Sequence, residues 1–523
     1  MNTGLNASDR EQLHGREISE EEFQRQLGLF ERPANYVKLD RPCTVGDGIV
    51  VLSEREQSDY EGMWSQAALS GRLLKFVPAS GAATRMFQSL LWFVQEGHSD
   101  PASGQSDLRA GGSGAEGEVA GFFDHLSRFA FYDDVRAVLA GDGFDLEQVL
   151  ARGQHGLIAE YLLFHKGLDY ATKPKCLLKF HRDRAGRGRT ALEEHLLEAL
   201  EYVRDERGIC RLHVTLSREH VAEVRALLSE VITRDEVAKQ GRIELSDSVQ
   251  HASTDTIAVD AAGNLLRDEE GRIVFRPGGH GALLRNLSDL QADIIFIKNI
   301  DNVVPDCLRP QITRWKRVLC GYLVALERKF HHFQRAWRQS PGDVNLLTGI
   351  THFMQAELGY SCEDLGISAG SHLSSQAAES LLFRPIRLCG MVRNISAPGG
   401  GPFWVRDALG RATRQIVENA QIDMCSATQR RLFESSTHFN PVDIVCSVRD
   451  YAGKAYDLNA YVDPDTYFLT TKSYAGSQIR ALEHPGLWNG SMAGWATVFV
   501  EVPLVTFNPV KTVNDLLGPN HQD

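Results

Sequence analysis

Short hydrophobic strands alternating with amphipathic helices predict an α/β fold, a mainly parallel sheet covered by helices on both faces and interrupted by helical insertions. Three observations carry this expectation. Apolar runs at residues 73–77, 212–216, 243–245 and 294–297 are short enough for strands and are separated by sequence with helical period. Thr190, followed three residues later by Glu193, gives a capping-box start for a helix through Leu196, Leu197 and Leu200. Residues 308–380 keep a helical pattern without a strand signal, and residues 381–523 return to a mixed pattern rich in glycine and aromatics.

The composition fits such a fold and excludes several functions. With 523 residues, 43% hydrophobic and 24% charged, the chain can bury a large core and is too long for a small binding module. Lys and Arg total 56 against 68 Asp and Glu, a net charge of −12, so no overall field draws the protein to nucleic acid or an anionic membrane. A phosphate ligand must therefore meet a local positive cluster. The nine cysteines are scattered without a C-x-x-C pair, which argues against a disulfide framework or a cysteine zinc site and for reduced, buried thiols. The first thirty residues lack the apolar and basic regions of a signal peptide. No stretch approaches the roughly 20 apolar residues of a membrane span, so a cytoplasmic location is expected.

Taken in order, residues 8–30 read as one charged amphipathic helix with Phe23, Leu27 and Phe30 on one face, capped near Ser8 and Asp9, part of an N-terminal helical arm over 1–60. The strand at 73–77 runs into the small-residue loop Pro78-Ala79-Ser80-Gly81-Ala82-Ala83-Thr84-Arg85 and then a helical pattern from Met86. Residues 97–120 read as a surface loop poor in large apolar groups, and helical patterning returns over 121–170. An α/β core over 61–307 thus carries an inserted lobe at about 95–170, followed by a helical insertion at 308–380 and a C-terminal α/β part at 381–523.

Several places carry potential chemistry. Residues 79–85 sit where open α/β sheets bind ligands, at the carboxyl end of a strand before a helix; a close-packed turn would read the same way. Asp301, just past the strand 294–297, suits a Mg²⁺ ligand, or an ordinary cap in Asn-x-Asp-Asn. His280 lies in a second Gly-rich turn, without another histidine at metal-ligand spacing. Trp488 and Asn489 stand in Pro485-Gly486-Leu487-Trp488-Asn489-Gly490, which suits either a sugar-facing loop or a packed turn. Lys511 directly follows a short extended run.

Together these pieces resemble the UDP-sugar pyrophosphorylases. Pro277-Gly278-Gly279-His280-Gly281 resembles their nucleotide-contacting P-x-G-[HN]-G loop, Ile297 to Asn302 resembles the strand ending in N-x-D-N, and Phe507 to Leu517 resembles the late segment with a phosphate-binding lysine. Residues 79–85 are similar to the G-G-x-G-T-R activation loop, with Thr84 and Arg85 kept but two glycines replaced by Ser80 and Ala83. Pro174-Lys175 resembles the family's P-K pair, displaced by about ninety residues; either residues 86–174 contain an inserted lobe or Lys175 is not that lysine. The family's Asp after G-H-G is Ala282 here. Over nearly its full length the chain also looks like a bacterial family placed near these nucleotidyltransferases.

The resemblance implies a GT-A-like, Rossmann-related nucleotidyltransferase core that binds a nucleoside triphosphate, UTP favoured, and a sugar 1-phosphate, with Mg²⁺ as cofactor. It implies catalytic roles for Arg85, Lys175 and Lys511, and nucleotide contacts from Ala79, Ser80, Gly81, Ala82, Thr84, Gly279 and His280. Trp488 and Asn489 would face the sugar and Asp301 the metal. Two alternatives stay open: a GT-A glycosyltransferase with Asp463-Pro464-Asp465 as its D-x-D site, and a nucleotide or nucleotide-sugar binder without catalysis.

Overall fold

The computed structural model describes residues 5–522 except 33–34, 97–113, 396–399 and 408–409. The chain forms two compact units. The first comprises Met1–Phe76, Ser248–Ile297 and Lys316–Leu504, and the second Val77–Asp247, Lys298–Trp315 and Val505–Asp523.

A sheet centres the first unit, its strands in the order Gly48–Val50, Ala496–Glu501, Ile386–Arg393, His438–Ser447, Ile294–Ile297 and Leu73–Pro78. Neighbours run parallel except His438–Ser447, which is antiparallel to both flanking strands. Ile294–Ile297 is buried on every residue, because a strand covered on both faces has no polar side to alternate with. The result is a mixed α/β architecture with a mainly parallel sheet. Three helices, Arg309–Gln339, Val344–Ala356 and Ser375–Leu382, occupy the stretch read as helical.

The N-terminal arm differs from the single helix expected. It folds as Ala7–Gly15 and Glu20–Leu29, with Glu17 at φ 58° between them. Asn6 and Asp9 form the first capping box and Ser19 caps the second helix, so two local start signals override one continuous hydrophobic pattern. Phe23, Leu27 and Phe30 are buried against Ile257, Val259, Ile273 and Leu482.

Val77 begins the second unit, whose strand Ile209–Leu216 neighbours Arg242–Val249. Helices Gln88–Gln95, Ala115–Asp124, Tyr132–Gly141, Leu146–Ala151 and His155–Leu163 follow the small-residue loop and share an aromatic core that includes Phe93, Phe122, Phe129 and Phe131. Much of the stretch read as a surface loop, 97–113, lies outside the described residues. Its remainder turns helical at Ala115, where Val119, Phe122 and Phe123 bury one face.

Helix Ala191–Tyr202 opens with the expected Thr190–Glu193 capping box and is buried on nearly every side. Its acidic residues are paired: Glu198 with Lys298 at 2.6 Å, Glu194 with Arg309 at 2.8 Å, and Glu193 with Arg234. Nε2 of His195 lies 3.2 Å from the carbonyl oxygen of Ile300. This helix thereby fixes the backbone immediately before Asp301.

A close backbone approach in the first unit gives a stability test. A Cβ at Gly321, in Arg309–Gln339, would stand 1.7 Å from the carbonyl oxygen of Tyr60, in helix Glu54–Leu69, whereas one at Gly62 meets nothing within 4 Å. Gly321→Ala is expected to destabilise by about 1–3 kcal/mol, and Gly62→Ala to stabilise by about 0.5–1 kcal/mol through reduced unfolded-state entropy. Opposite shifts of the thermal midpoint check this pair.

Candidate functional site

The second unit brings together three segments far apart in sequence. The loop after Pro78 is tied to the segment before Lys175 by two backbone bonds: Ala83 N–H donates to Lys173 O at 3.1 Å, and Lys175 N–H to Gly81 O at 3.1 Å. The Thr84 hydroxyl donates to Ala171 O at 3.2 Å, adding a third tie. The helical lobe between these segments leaves and returns at neighbouring points, so its length does not separate Lys175 from the loop.

Asp301 meets the C-terminal segment in the same way. Val510 N–H donates to Asp301 O at 3.0 Å, Asn508 N–H donates to Asn302 Oδ1 at 2.8 Å, and Asn302 Nδ2 donates to Thr506 O at 3.2 Å. Asn302, a turn residue in the sequence, thus acts as a double clamp on the chain that delivers Lys511.

The side chains converge on one carboxylate. Lys175 Nζ and Lys511 Nζ each lie 3.1 Å from Asp301 Oδ2, and Lys175 also donates to Val510 O at 2.7 Å. Asp301 is 7% exposed; the side chain of Lys175 is 12% exposed and that of Lys511 66%. Burial pushes the Asp301 carboxyl up, but the ammoniums of Lys511 and Lys175 together hold it below its usual value. Lys175 is pushed down, chiefly by burial and also by the neighbouring Lys511, while Asp301 opposes the shift. Asp515 Oδ2 accepts from the backbone N–H groups of Lys511 and Thr512 at 2.7 Å each, which fixes the turn presenting Lys511.

The loop beside this cluster offers donors. Among the described residues, the amides of Ser80, Gly81, Ala82, Thr84 and Arg85 have no hydrogen-bond partner, and the exposed Arg85 side chain makes no ion pair. Ala79 and Ala83 are fully buried. Ser80 and Ala83 are not among the positive-φ residues, so the backbone adopts this loop without needing glycine there. Amides at the start of a helix, an arginine and two lysines together suit an oligophosphate.

Gly279, His280, Trp488 and Asn489 belong to the first unit, where the two Gly-rich turns pack on each other. The rings of His280 and Trp488 stack with centroids 4.3 Å apart, and Leu487 N–H donates to His280 Nδ1 at 3.0 Å. Burial pushes His280 down to about 4, so the ring is neutral and Nε2 carries its hydrogen. Glycine is required by this packing: a Cβ at Gly281 would stand 2.0 Å from Pro485 O, and one at Gly279, where φ is 74°, would stand 2.7 Å from the Glu483 carboxylate. Asn489 is 1% exposed and donates to Ile416 O at 3.0 Å. Arg387, buried and unremarked in the sequence, holds the Trp488 carbonyl at 2.6 Å.

Asp463 and Asp465 also lie in the first unit. Asp463 accepts from Asp465 N–H at 3.1 Å as the cap of a short turn, and it borders a cavity of about 450 Å³ with Arg384, Tyr461 and Asn489. Burial pushes the Asp463 carboxyl up. Among the described residues no group of three or more His, Cys, Asp or Glu side chains is placed to hold a metal ion. No helix among them is long and apolar enough to cross a membrane, and all nine cysteines are free.

The shared carboxylate makes a directional prediction. Because Asp301 supports the charged form of Lys175 against burial and Lys511, Asp301→Asn should make Lys175 titrate at lower pH than in the wild type. The pH titration of the Lys175 side-chain NMR signal measures this, and an unchanged midpoint would contradict the ion pair.

Similar solved structures include the uridine diphosphate N-acetylglucosamine pyrophosphorylase of Trypanosoma brucei, 13% identical, with a TM-score of 0.47 over 98% of this chain and 79% of that one. A mutant UDP-glucose pyrophosphorylase of Leishmania major in complex with UDP-glucose is 12% identical, with a TM-score of 0.40 over 98% and 79%. No curated protein matches the sequence. The family described as domain of unknown function DUF4301 matches residues 6–522, nearly every residue from the N-terminal arm to the segment bearing Lys511, and the chain belongs to that family.

Proposed function

We propose that the protein is a Mg²⁺-dependent nucleotidyltransferase that joins the nucleotidyl group of a nucleoside triphosphate, UTP favoured, to a sugar 1-phosphate and releases pyrophosphate. The observation that carries this reading is the convergence of Lys175 and Lys511 on Asp301, in the unit that also holds the unpartnered amides of residues 80–82. The sequence resemblance of the three site segments to UDP-sugar pyrophosphorylases supports it.

The chemistry asks little of side-chain acids and bases. A phosphate monoester is already anionic at neutral pH, so attack on the α-phosphorus needs no general base; catalysis rests on positioning and charge neutralisation. The amides of Ser80, Gly81 and Ala82 would bind phosphate oxygens and orient the triphosphate, and Arg85 would add a fork from the exposed side. Lys175, held by Val510 O and Asp301, would neutralise charge at the transferred group. The more exposed Lys511 would follow the leaving pyrophosphate.

Mg²⁺ fits the donor set. It usually takes one or two carboxylates and completes its shell from waters and substrate phosphates, and Asp301 supplies one carboxylate. When bound, the ion would supply further neutralisation of phosphate charge. Without nucleotide, two ammoniums face Asp301 with the Asp515 carboxylate beside them, leaving the cluster with no net negative charge to draw in a further cation. A further cation is then unfavourable until a triphosphate brings its negative charge.

Thermal shift should accordingly show stabilisation by Mg²⁺ only in the presence of nucleotide; a shift with Mg²⁺ alone would contradict the electrostatic argument. Lys511→Ala should lower kcat by roughly 2–4 kcal/mol of transition-state stabilisation while weakening nucleotide binding far less. Pyrophosphate release across a panel of triphosphates and sugar 1-phosphates, beside calorimetric nucleotide affinity, tests this. Tight binding without release by the wild type would replace transfer with nucleotide binding alone.

A further inference from the structure

A second cluster in the same unit lies on the two segments that carry the lysines. His181, six residues after Lys175 on strand Lys179–Arg182, is 2% exposed. His521, ten residues after Lys511, is 6% exposed. His181 Nε2 and His521 Nδ1 are 2.9 Å apart, and His181 Nδ1 lies 3.3 Å from Glu194 Oε1. The other oxygen of Glu194 takes a hydrogen bond from Arg309 at 2.8 Å.

Hydrogen bookkeeping orders this relay. Burial and the adjacent His181 push His521 down to about 3, so its ring is neutral and carries a single N–H. The Glu194 carboxylate can only accept, so His181 donates to it from Nδ1. One hydrogen bond between His181 Nε2 and His521 Nδ1 then joins the two rings. The relay runs Glu194, His181, His521.

Its far end closes a loop. Asn520, next to His521, donates from Nδ2 to Asn508 Oδ1 at 2.8 Å, so the chain at His521 returns to Asn508, which is itself clamped by Asn302. Lys511 sits within that closed loop. Two ammoniums sharing one carboxylate repel each other, and the segments bearing them need a brace independent of Asp301.

We propose that His181 and His521 are positioning residues, a buried imidazole brace that locks the Lys175 and Lys511 segments together so that both ammoniums reach Asp301. Its consequence for turnover rests on the nucleotidyl-transfer reading; the brace itself does not. The proposal predicts that His521→Ala speeds amide hydrogen exchange around residues 508–517 by about tenfold, the loss expected when one buried hydrogen bond no longer holds a local opening closed. His521→Asn, whose side-chain amide can donate or accept in the place of Nδ1, should retain most of the protection. His181→Leu breaks the brace from its other end and should match His521→Ala.

Full-length wild type and the three variants are compared by hydrogen-exchange mass spectrometry and by pyrophosphate release from UTP, Mg²⁺ and glucose 1-phosphate. Selective loosening of 508–517 in His521→Ala and His181→Leu, with rescue in His521→Asn, supports the brace. Unchanged exchange in His521→Ala, or equal loosening in His521→Ala and His521→Asn, overturns it. Where the wild type releases pyrophosphate, kcat should fall in the two loosened variants and recover in His521→Asn. A wild type without release removes the reading of this site with those substrates, while the exchange data still decide the brace.

Discussion

One carboxylate oxygen, Asp301 Oδ2, accepts from lysines that lie 126 residues before it and 210 residues after it. Taking that carboxylate out of water is costly, and the cost is offset only while both ammoniums remain in place. Much of the surrounding architecture serves this condition. Helix Ala191–Tyr202 fixes the backbone ahead of Asp301, Asn302 clamps the C-terminal segment, and Asp515 sets the turn at Lys511.

The same condition explains how a long helical lobe can stand between two site segments. The helical lobe leaves the chain after the small-residue loop and returns beside it, closed by the pairing of Ala82 with Pro174. Its core is built from its own phenylalanines. The entropic cost of a longer loop grows slowly with length, so a folded lobe can be placed between two site segments without moving either.

The first unit treats its own motif residues differently. Gly278, Gly279 and Gly281 are sites of close approach to residues 254 and 483–485, and His280 stacks on Trp488 rather than standing free. Asn489 satisfies strand backbone and is almost fully buried. These residues form a rigid, interlocked pair of turns, so any ligand contact they make comes from a surface already fixed by packing. The Asp463-Pro464-Asp465 run is likewise engaged locally, with one carboxylate capping the turn that contains the other.

The sequence alone determined the strand before Asp301 and the helix after Thr190, and pointed to Asp301 and Lys511. Apolar runs with the right period marked the strand Ile294–Ile297, the capping box marked the helix after Thr190, and the resemblance of residues 507–517 to a segment of the UDP-sugar pyrophosphorylases singled out Lys511. These features are local: period, capping and turn chemistry act over a few residues and can be read from them. Tertiary structure decided what local signals do not encode. Only folding places Lys175 beside Asp301 across the helical lobe, joins His181 to His521, and divides the two helices of the N-terminal arm at Glu17. The physical reason is that burial and long-range pairing set the energy of a charge, and both depend on segments that meet only when the chain is folded.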